Sequence, residues 1–185
     1  MIHKRLSILL LAAAAFLPSL TAETRIDNWH QSHDRPFLGG QFWANPMEDW
    51  EVNDGWASCR TTSPGRNVHA ITHELTDAGK AFEIAVEMKL PTPSEGKISG
   101  GFRVGIQSDI DDHRAHAFAN SGLLAGVQGK SLVLGEKKTP IKSLPKNPIR
   151  LVLNGTPNGN KVKLELSAFS TKDDTLLASQ SISVP

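Results

Sequence analysis

The sequence predicts an all-β fold, a two-sheet antiparallel β-sandwich. Short segments in which apolar and polar residues alternate recur along the chain, which is the pattern of half-buried strands. Turn-forming residues separate these segments, and the chain contains 15 Gly and 11 Pro. No apolar stripe with the 3.6-residue period of a helix is long enough to predict a helix. These observations favour a sandwich or a barrel over an α/β fold.

The N-terminus has the layout of a cleavable signal peptide. The basic pair Lys4-Arg5 precedes an apolar run over residues 6–17, and Pro18 and the small residue Ala22 follow. A membrane-spanning anchor is the alternative, but it needs about 20 consecutive apolar residues. We therefore predict a signal peptide over residues 1–22, a secreted or periplasmic location, and no membrane span after cleavage.

A leading arm is predicted between the signal peptide and the sandwich. Residues 23–36 are polar and lack an apolar period, so the β-sandwich domain is expected over residues 37–185. Near its start, the turn signal at residues 53–55 joins a strand through Trp50 to one through Trp56.

The remaining strands follow from alternation and turn signals. Alternation is clearest over residues 82–90, where one face is apolar and the other carries Glu83 and Glu87. The chain stops at Pro185 directly after a strand-like segment, so we expect a fragment, and the pattern leaves open whether the sandwich has its last strand. The other predicted strands are residues 67–75, 101–107, 123–127, 131–134, 149–153 and 162–168, with a loop over 154–159, and a weaker strand over 176–184.

Charge and cysteine content narrow the classes of function. The chain has 20 Lys and Arg against 19 Asp and Glu, so it has no strong field to attract nucleic acid or an anionic membrane. Its single cysteine, Cys59, cannot form an internal disulfide. The neighbours of Cys59 suggest strand packing, so we expect a buried free thiol rather than a nucleophile.

The densest group of possible metal ligands lies in one loop. Asp109, Asp111, Asp112 and His113 follow one another closely, and oxygen-rich loops of this kind can hold Ca²⁺. The loop lacks an EF-hand pattern, and in an extended segment His113 and His116 point to opposite faces. A solvated loop is favoured over a calcium site, and a zinc site is favoured less than a calcium site. No cofactor is therefore expected.

The sequence contains no complete catalytic constellation. His69 and His73 have the spacing of helical zinc ligands, but Ala70 replaces the glutamate that a metalloprotease requires. On a strand the same spacing spans about 13 Å, which is too far for one ion. Glu83 and Glu87 are equally far apart, whereas the carboxylates of glycosidases are about 5 to 9.5 Å apart. No catalytic residue is predicted.

Tryptophans are the remaining candidates for ligand contact, because flat aromatic rings can stack on sugars. Trp50 and Trp56 flank a turn with the parity of core residues. Trp43 is therefore the best candidate for an exposed ring.

A resemblance to a known family is carried by several segments in order. The chain resembles the N-terminal module of exported alkaline phosphatase D-like metallophosphoesterases. The matching segments are residues 36–52 (PFLGGQFWANPMEDWEV), 54–55 (DG), 66–73 (RNVHAITH), 100–106 (GGFRVGI), 113–115 (HRA) and 122–127 (GLLAGV).

The resemblance implies a jelly roll of the concanavalin A-like or LamG-like type. In that family the metal-dependent phosphatase or phosphodiesterase chemistry lies in a separate later domain, so no metal or catalytic residue carries over to this chain. The expected function is a non-catalytic accessory module that packs on a missing C-terminal catalytic domain or binds an extracellular glycan. A free-standing lectin-like carbohydrate-binding domain is the alternative, motivated by Trp43 and the loop around Asp109.

Overall fold

The computed structural model describes residues 25–75, 79–90, 99–106, 109 and 122–185. Thirteen antiparallel strands and two single turns of 3-10 helix make up its regular structure, which confirms the all-β class. In chain order the elements are η1 (Trp29–Gln31), β1 (Arg35–Pro36), β2 (Phe42–Asn45), η2 (Met47–Asp49), β3 (Trp50–Asn53), β4 (Trp56–Cys59), β5 (Asn67–Ala70), β6 (Phe82–Met88), β7 (Ser99–Val104), β8 (Leu123–Gln128), β9 (Ser131–Leu134), β10 (Lys137–Pro140), β11 (Ile149–Asn158), β12 (Lys161–Ser170) and β13 (Leu176–Val184).

Two four-stranded sheets form the sandwich. One sheet has the order β13-β12-β11-β6 and the other has the order β10-β9-β8-β7. Alternate residues of both sheets point inward, because successive side chains of a strand face opposite sides. Leu151, Leu153 and Leu166 from the first sheet and Leu132 and Leu134 from the second have no measurable exposure. Burying each of these side chains contributes about 1.5–3 kcal/mol, so this shared layer stabilises the sandwich.

The long hairpin of β11 and β12 differs from its prediction. Residues 154–159 were predicted as a loop because of two Asn-Gly pairs, but β11 continues to Asn158 and the turn follows there. Gly155 lies opposite Phe82 of β6, and a Cβ at Gly155 would be 2.1 Å from Cε1 of that ring. This glycine therefore makes room for an aromatic ring of the neighbouring strand instead of forming a turn.

Strand β10 has no counterpart among the predicted strands. Its sequence, Lys-Lys-Thr-Pro, has no apolar alternation, yet it pairs with β9 along the edge of its sheet. Lysine and proline are common on edge strands, where they prevent pairing with another chain. Position at the edge explains why this strand needs no apolar face.

Residues 25–75 form a smaller unit, which we call the N-terminal unit. It contains a three-stranded sheet with the order β1-β3-β4 and a pair formed by β2 and β5. The predicted turn between β3 and β4 is confirmed, with Asp54 and Gly55 both at positive φ. The core consists of three buried residues, Leu38, Ala44 and Val52, with partly buried side chains packed around them.

The predicted leading arm contributes to this unit. Trp29 of η1 packs against the core of the N-terminal unit. Arg35 of β1 pairs with Val52, and Pro36 pairs with Glu51. A cation–π contact also links the unit to the sandwich, with Nζ of Lys89 4.3 Å from the centre of the Trp56 ring.

Candidate functional site

A depression of about 210 Å³ lies on the N-terminal unit, between η1 and the start of β2. We call it the Arg35 depression. It combines a guanidinium, two primary amides, an aromatic ring and the bare backbone of two glycines. Its lining residues are Asn28, Arg35, Leu38, Gly39, Gly40, Gln41 and Phe42.

The carbonyl oxygen of Leu38 accepts two hydrogen bonds at one side of the depression. Nε1 of Trp29 and Nη2 of Arg35 each donate a hydrogen bond of 3.1 Å to this oxygen. The Leu38 side chain is buried in the small core, so the two bonds tie the loop after β1 to that core. Phe42 supplies the aromatic ring of the lining, and the Trp29 ring packs behind it with 4.6 Å between the ring centres.

The two glycines keep the depression open. Gly39 has a φ of +103°, and a Cβ there would be 3.2 Å from Nη2 of Arg35. A side chain at Gly39 would therefore be strained and would displace the guanidinium. A Cβ at Gly40 would have no other heavy atom within 4 Å, so this position faces open space.

A second depression, of about 270 Å³, lies at one end of the sandwich beside the turn between β12 and β13. Hydrogen bonds from Ser170 and Thr175 hold the pKa of Asp173 below its ordinary value of 3.8. The Asp173 carboxylate also accepts a bond from the backbone N–H of Thr175 at 3.3 Å. These bonds satisfy the carboxylate within its own turn, so its role there is structural.

The structure describes two of the residues that the sequence predicted for ligand binding, Trp43 and Asp109. Trp43 lies on β2, half-buried and opposite His69 of β5. Asp109 is exposed, whereas Asp111, Asp112 and His113 lie outside the described residues, so the predicted acidic loop stays a prediction. Within the described ranges, no group of three or more His, Cys, Asp or Glu residues could hold a metal ion.

The prediction of a buried thiol is wrong. Cys59 is exposed, and its Sγ lies 3.3 Å from the carbonyl oxygen of Thr61, to which it donates a hydrogen bond. It is the last residue of β4, which is an edge strand of a three-stranded sheet. Among the described residues this strand pairs with β3 alone, so the neighbours that suggested strand packing did not determine the burial of Cys59.

The structure places His69 and His73 in different environments and Glu83 and Glu87 on one face of a strand. His69 is half-buried on β5 and its Nε2 is 3.1 Å from Oδ1 of Asn67, whereas His73 is exposed beyond the strand. Glu83 and Glu87 both lie on the outer face of β6, as predicted, opposite Asn154 and Arg150 of β11.

Sequence reasoning missed the Arg35 depression because two of its seven lining residues come from the predicted arm. Asn28 and Arg35 were placed in that arm, and Gln41 lay in a segment considered for its tryptophan. The available signal was the Gly39-Gly40 pair, because consecutive glycines next to an aromatic strand indicate a close approach to the backbone.

Comparisons of the chain with protein-family models, with curated proteins and with solved structures find no match. The resemblance to the phosphoesterase module therefore stays a prediction. Among the described residues, no helix has the length and apolar character required to span a bilayer.

Proposed function

We propose that this chain is a non-catalytic, exported binding module that holds one ring of an extracellular glycan in the Arg35 depression. The observation that carries the proposal is the combination of the Phe42 ring with amide and guanidinium groups around one opening. The sandwich serves as the scaffold, and the N-terminal unit provides the contacts.

The groups in the depression suit the chemistry of a sugar. Sugar hydroxyls donate and accept hydrogen bonds, and the primary amides of Asn28 and Gln41 offer both donors and acceptors. Both residues are exposed, and neither amide is hydrogen-bonded to another residue in the described part of the chain. An aromatic ring such as Phe42 packs against the apolar C–H face of a sugar ring.

The size of the depression also favours a polymer over a free small molecule. Enclosed small-molecule sites have volumes of about 300–1,000 Å³. A volume of about 210 Å³ and an open mouth suit one ring of a longer chain, the rest of which lies along the surface.

Titration with a panel of extracellular oligosaccharides tests the proposal. Trp29 contacts Phe42, so binding is expected to change tryptophan fluorescence and to raise the melting temperature. The substitution Gln41→Ala should weaken binding about threefold to tenfold, because it removes one or two hydrogen bonds of about 0.5–1.5 kcal/mol each. The matched control is Asn158→Ala, which removes an exposed amide at the far end of β11.

Two results would contradict the proposal: no oligosaccharide changes either signal, or Gln41→Ala binds as tightly as the unaltered protein. Each titration is repeated with Ca²⁺, because a response that requires calcium and survives Gln41→Ala would favour the loop around Asp109.

Packing on a later catalytic domain is a second candidate function. Phe37 has a φ of 66° and its side chain is 47% exposed. A left-handed conformation costs a residue with a side chain about 1–2 kcal/mol, so strain and apolar exposure coincide at this position. Four further large apolar residues of the N-terminal unit are exposed, namely Ile26, Met47, Ile71 and Leu75.

This second function predicts that Phe37→Ser, tested in a protein extended beyond residue 185, loosens the contact between the two domains without affecting oligosaccharide binding. Limited proteolysis between the domains would measure that contact, and an unchanged cleavage rate would exclude Phe37 from it.

A further inference from the structure

We infer that Arg35 makes the depression selective for acidic sugars, whose carboxylate or sulfate group pairs with its guanidinium. The inference rests on the proposed glycan binding, because it names the class of ring that the same site holds. It starts from a difference between Arg35 and the other arginines of the N-terminal unit.

Three of the four arginines in this unit face a carboxylate. Arg25 contacts Asp27 at 3.0 Å, Arg60 is 3.7 Å from Glu51, and Arg66 contacts Asp49 at 2.6 Å. Arg35 has no carboxylate within 4 Å in the part of the chain that the structure describes. Its positive charge therefore lacks a counterpart there.

The two acidic residues nearest in sequence do not neutralise Arg35. The carboxylate of Asp27 accepts two hydrogen bonds from Arg25, at 3.0 and 3.1 Å. The carboxylate of Asp34 accepts a hydrogen bond of 2.9 Å from the backbone N–H of Asp54. Each carboxylate makes its described bonds to a group other than Arg35, so an incoming anion can form the direct ion pair that Arg35 lacks.

The remaining donors of Arg35 are available in a fixed geometry. A guanidinium carries five N–H donors in a planar fork that matches two oxygens of a carboxylate or sulfate. One described bond, from Nη2 to the carbonyl of Leu38, anchors this fork at one corner. Because Gly39 has no side chain, nothing at that residue shields the guanidinium.

The hydrogen bond that Arg35 donates to the Leu38 carbonyl does not by itself explain why an arginine occupies position 35. The carbonyl of Leu38 already accepts a hydrogen bond from Trp29, whose ring is packed against the small core. An apolar or amide side chain at position 35 would leave that anchor in place. The charge at position 35 is therefore free to serve ligand binding.

The charge of Arg35 lies at the same opening as two amide side chains. Asn28 and Gln41 flank the same opening and can pair with the hydroxyls of the ring, whereas Arg35 can pair with its acidic substituent. Hydrogen bonds to a charged group are worth about twice those between neutral groups. Acidic rings should therefore bind more tightly than neutral rings of the same length.

Calorimetric titration of the full chain with three oligosaccharides of equal length tests the inference. The probes are a hexamer of galacturonic acid, a sulfated carrageenan hexamer and neutral laminarihexaose, all at one ionic strength. At least one acidic probe should bind about tenfold or more tightly than the neutral one, and added salt should weaken only the acidic complex. Inorganic sulfate is titrated separately to show whether the anion binds without a ring.

Variants assign the preference to Arg35. Arg35→Gln should weaken binding of the acidic probe by about 10- to 100-fold, the loss expected for hydrogen bonds to a charged group, and weaken binding of the neutral probe by less than about threefold. Arg60→Gln removes the same charge elsewhere in the unit and should change neither affinity. Gly40→Leu should weaken binding of both probes, because it adds a side chain at a lining residue where a Cβ would meet no other heavy atom within 4 Å.

Arg35→Lys keeps the inference testable if Arg35→Gln fails to fold. It retains the charge without the planar fork, so it should keep part of the acidic preference and bind the acidic probe less tightly than Arg35. Equal affinity of the unaltered protein for acidic and neutral probes would overturn the inference and leave the proposed function standing. Binding of a neutral oligosaccharide alone would also overturn the inference, whereas the absence of binding to these probes and to the whole oligosaccharide panel would overturn both.

Discussion

The sandwich and the N-terminal unit bury apolar surface to very different extents. Among the described residues, twelve buried residues form the sandwich core, whereas three form the core of the N-terminal unit. Strands β11 and β12 have ten residues each, and none of the first five strands exceeds four. The sandwich therefore has the larger reserve of stability.

The smaller core leaves polar groups of the N-terminal unit with fewer partners. Nε1 of Trp50 is buried and has no hydrogen-bond partner among the described residues. An unsatisfied buried donor costs about 1–3 kcal/mol, which is substantial for a core of this size. Strain at Phe37 and the unpaired charge of Arg35 belong to the same unit. The larger core and the proposed ligand site thus lie in different parts of the chain, as is common for binding loops on a rigid scaffold.

The largest effect is expected from Leu151→Ala in the sandwich core. Leu151 has no measurable exposure and lies between β6 and β12, so its truncation should lower the free energy of unfolding by about 2–5 kcal/mol. Chemical denaturation followed by circular dichroism measures the change. The matched control is Leu176→Ala on β13, which removes a side chain that is 53% exposed and should change stability by less than about 0.5 kcal/mol. Equal effects of the two variants would contradict the assigned core.

A smaller and more local effect is expected from Val52→Ala. Val52 is buried in the small core, so the variant should lose about 2 kcal/mol of local stability from two methyl groups and the resulting cavity. Hydrogen exchange should accelerate at the amides of β1, β3 and β4 and stay unchanged in β11 and β12. Met47→Ala is the control, because Met47 is exposed in the same unit. Acceleration throughout the sandwich would show that both regions unfold as one cooperative unit.

The smallest effect is expected from Asp173→Asn at the end of the sandwich. The pKa of Asp173 is lowered on folding, so its contribution to stability is present above the ordinary carboxyl pKa of 3.8 and is lost as the pH falls through the lowered value. The unaltered protein should be slightly more stable than the variant at pH 7, and the difference should disappear at strongly acidic pH. Denaturation curves at both pH values measure it, and a difference of equal size at both would contradict the assigned hydrogen bonds.

The positions of several strands along the chain follow from the sequence. The bounds of β9 and β13 match their predictions, and β6 begins at the predicted residue. Strong alternation marks β6 and a turn signal precedes β9, and such local signals act wherever the strand pairs, whereas the predicted signal for β13 is weaker. Strand β10 lacks alternation, and the glycine of β11 resembles a turn residue, so local signals failed at both.

The sequence by itself determined the fold class and the turn between β3 and β4, because alternation and turn preferences depend on neighbours in the chain. Tertiary structure decided the exposure of Cys59, the partner of Gly155 and the meeting of Asn28, Arg35 and Gln41 at one opening. Each of these depends on which strand lies beside a residue or on how a loop folds back. Long-range packing sets both, and the spacing of residues along one chain does not encode them.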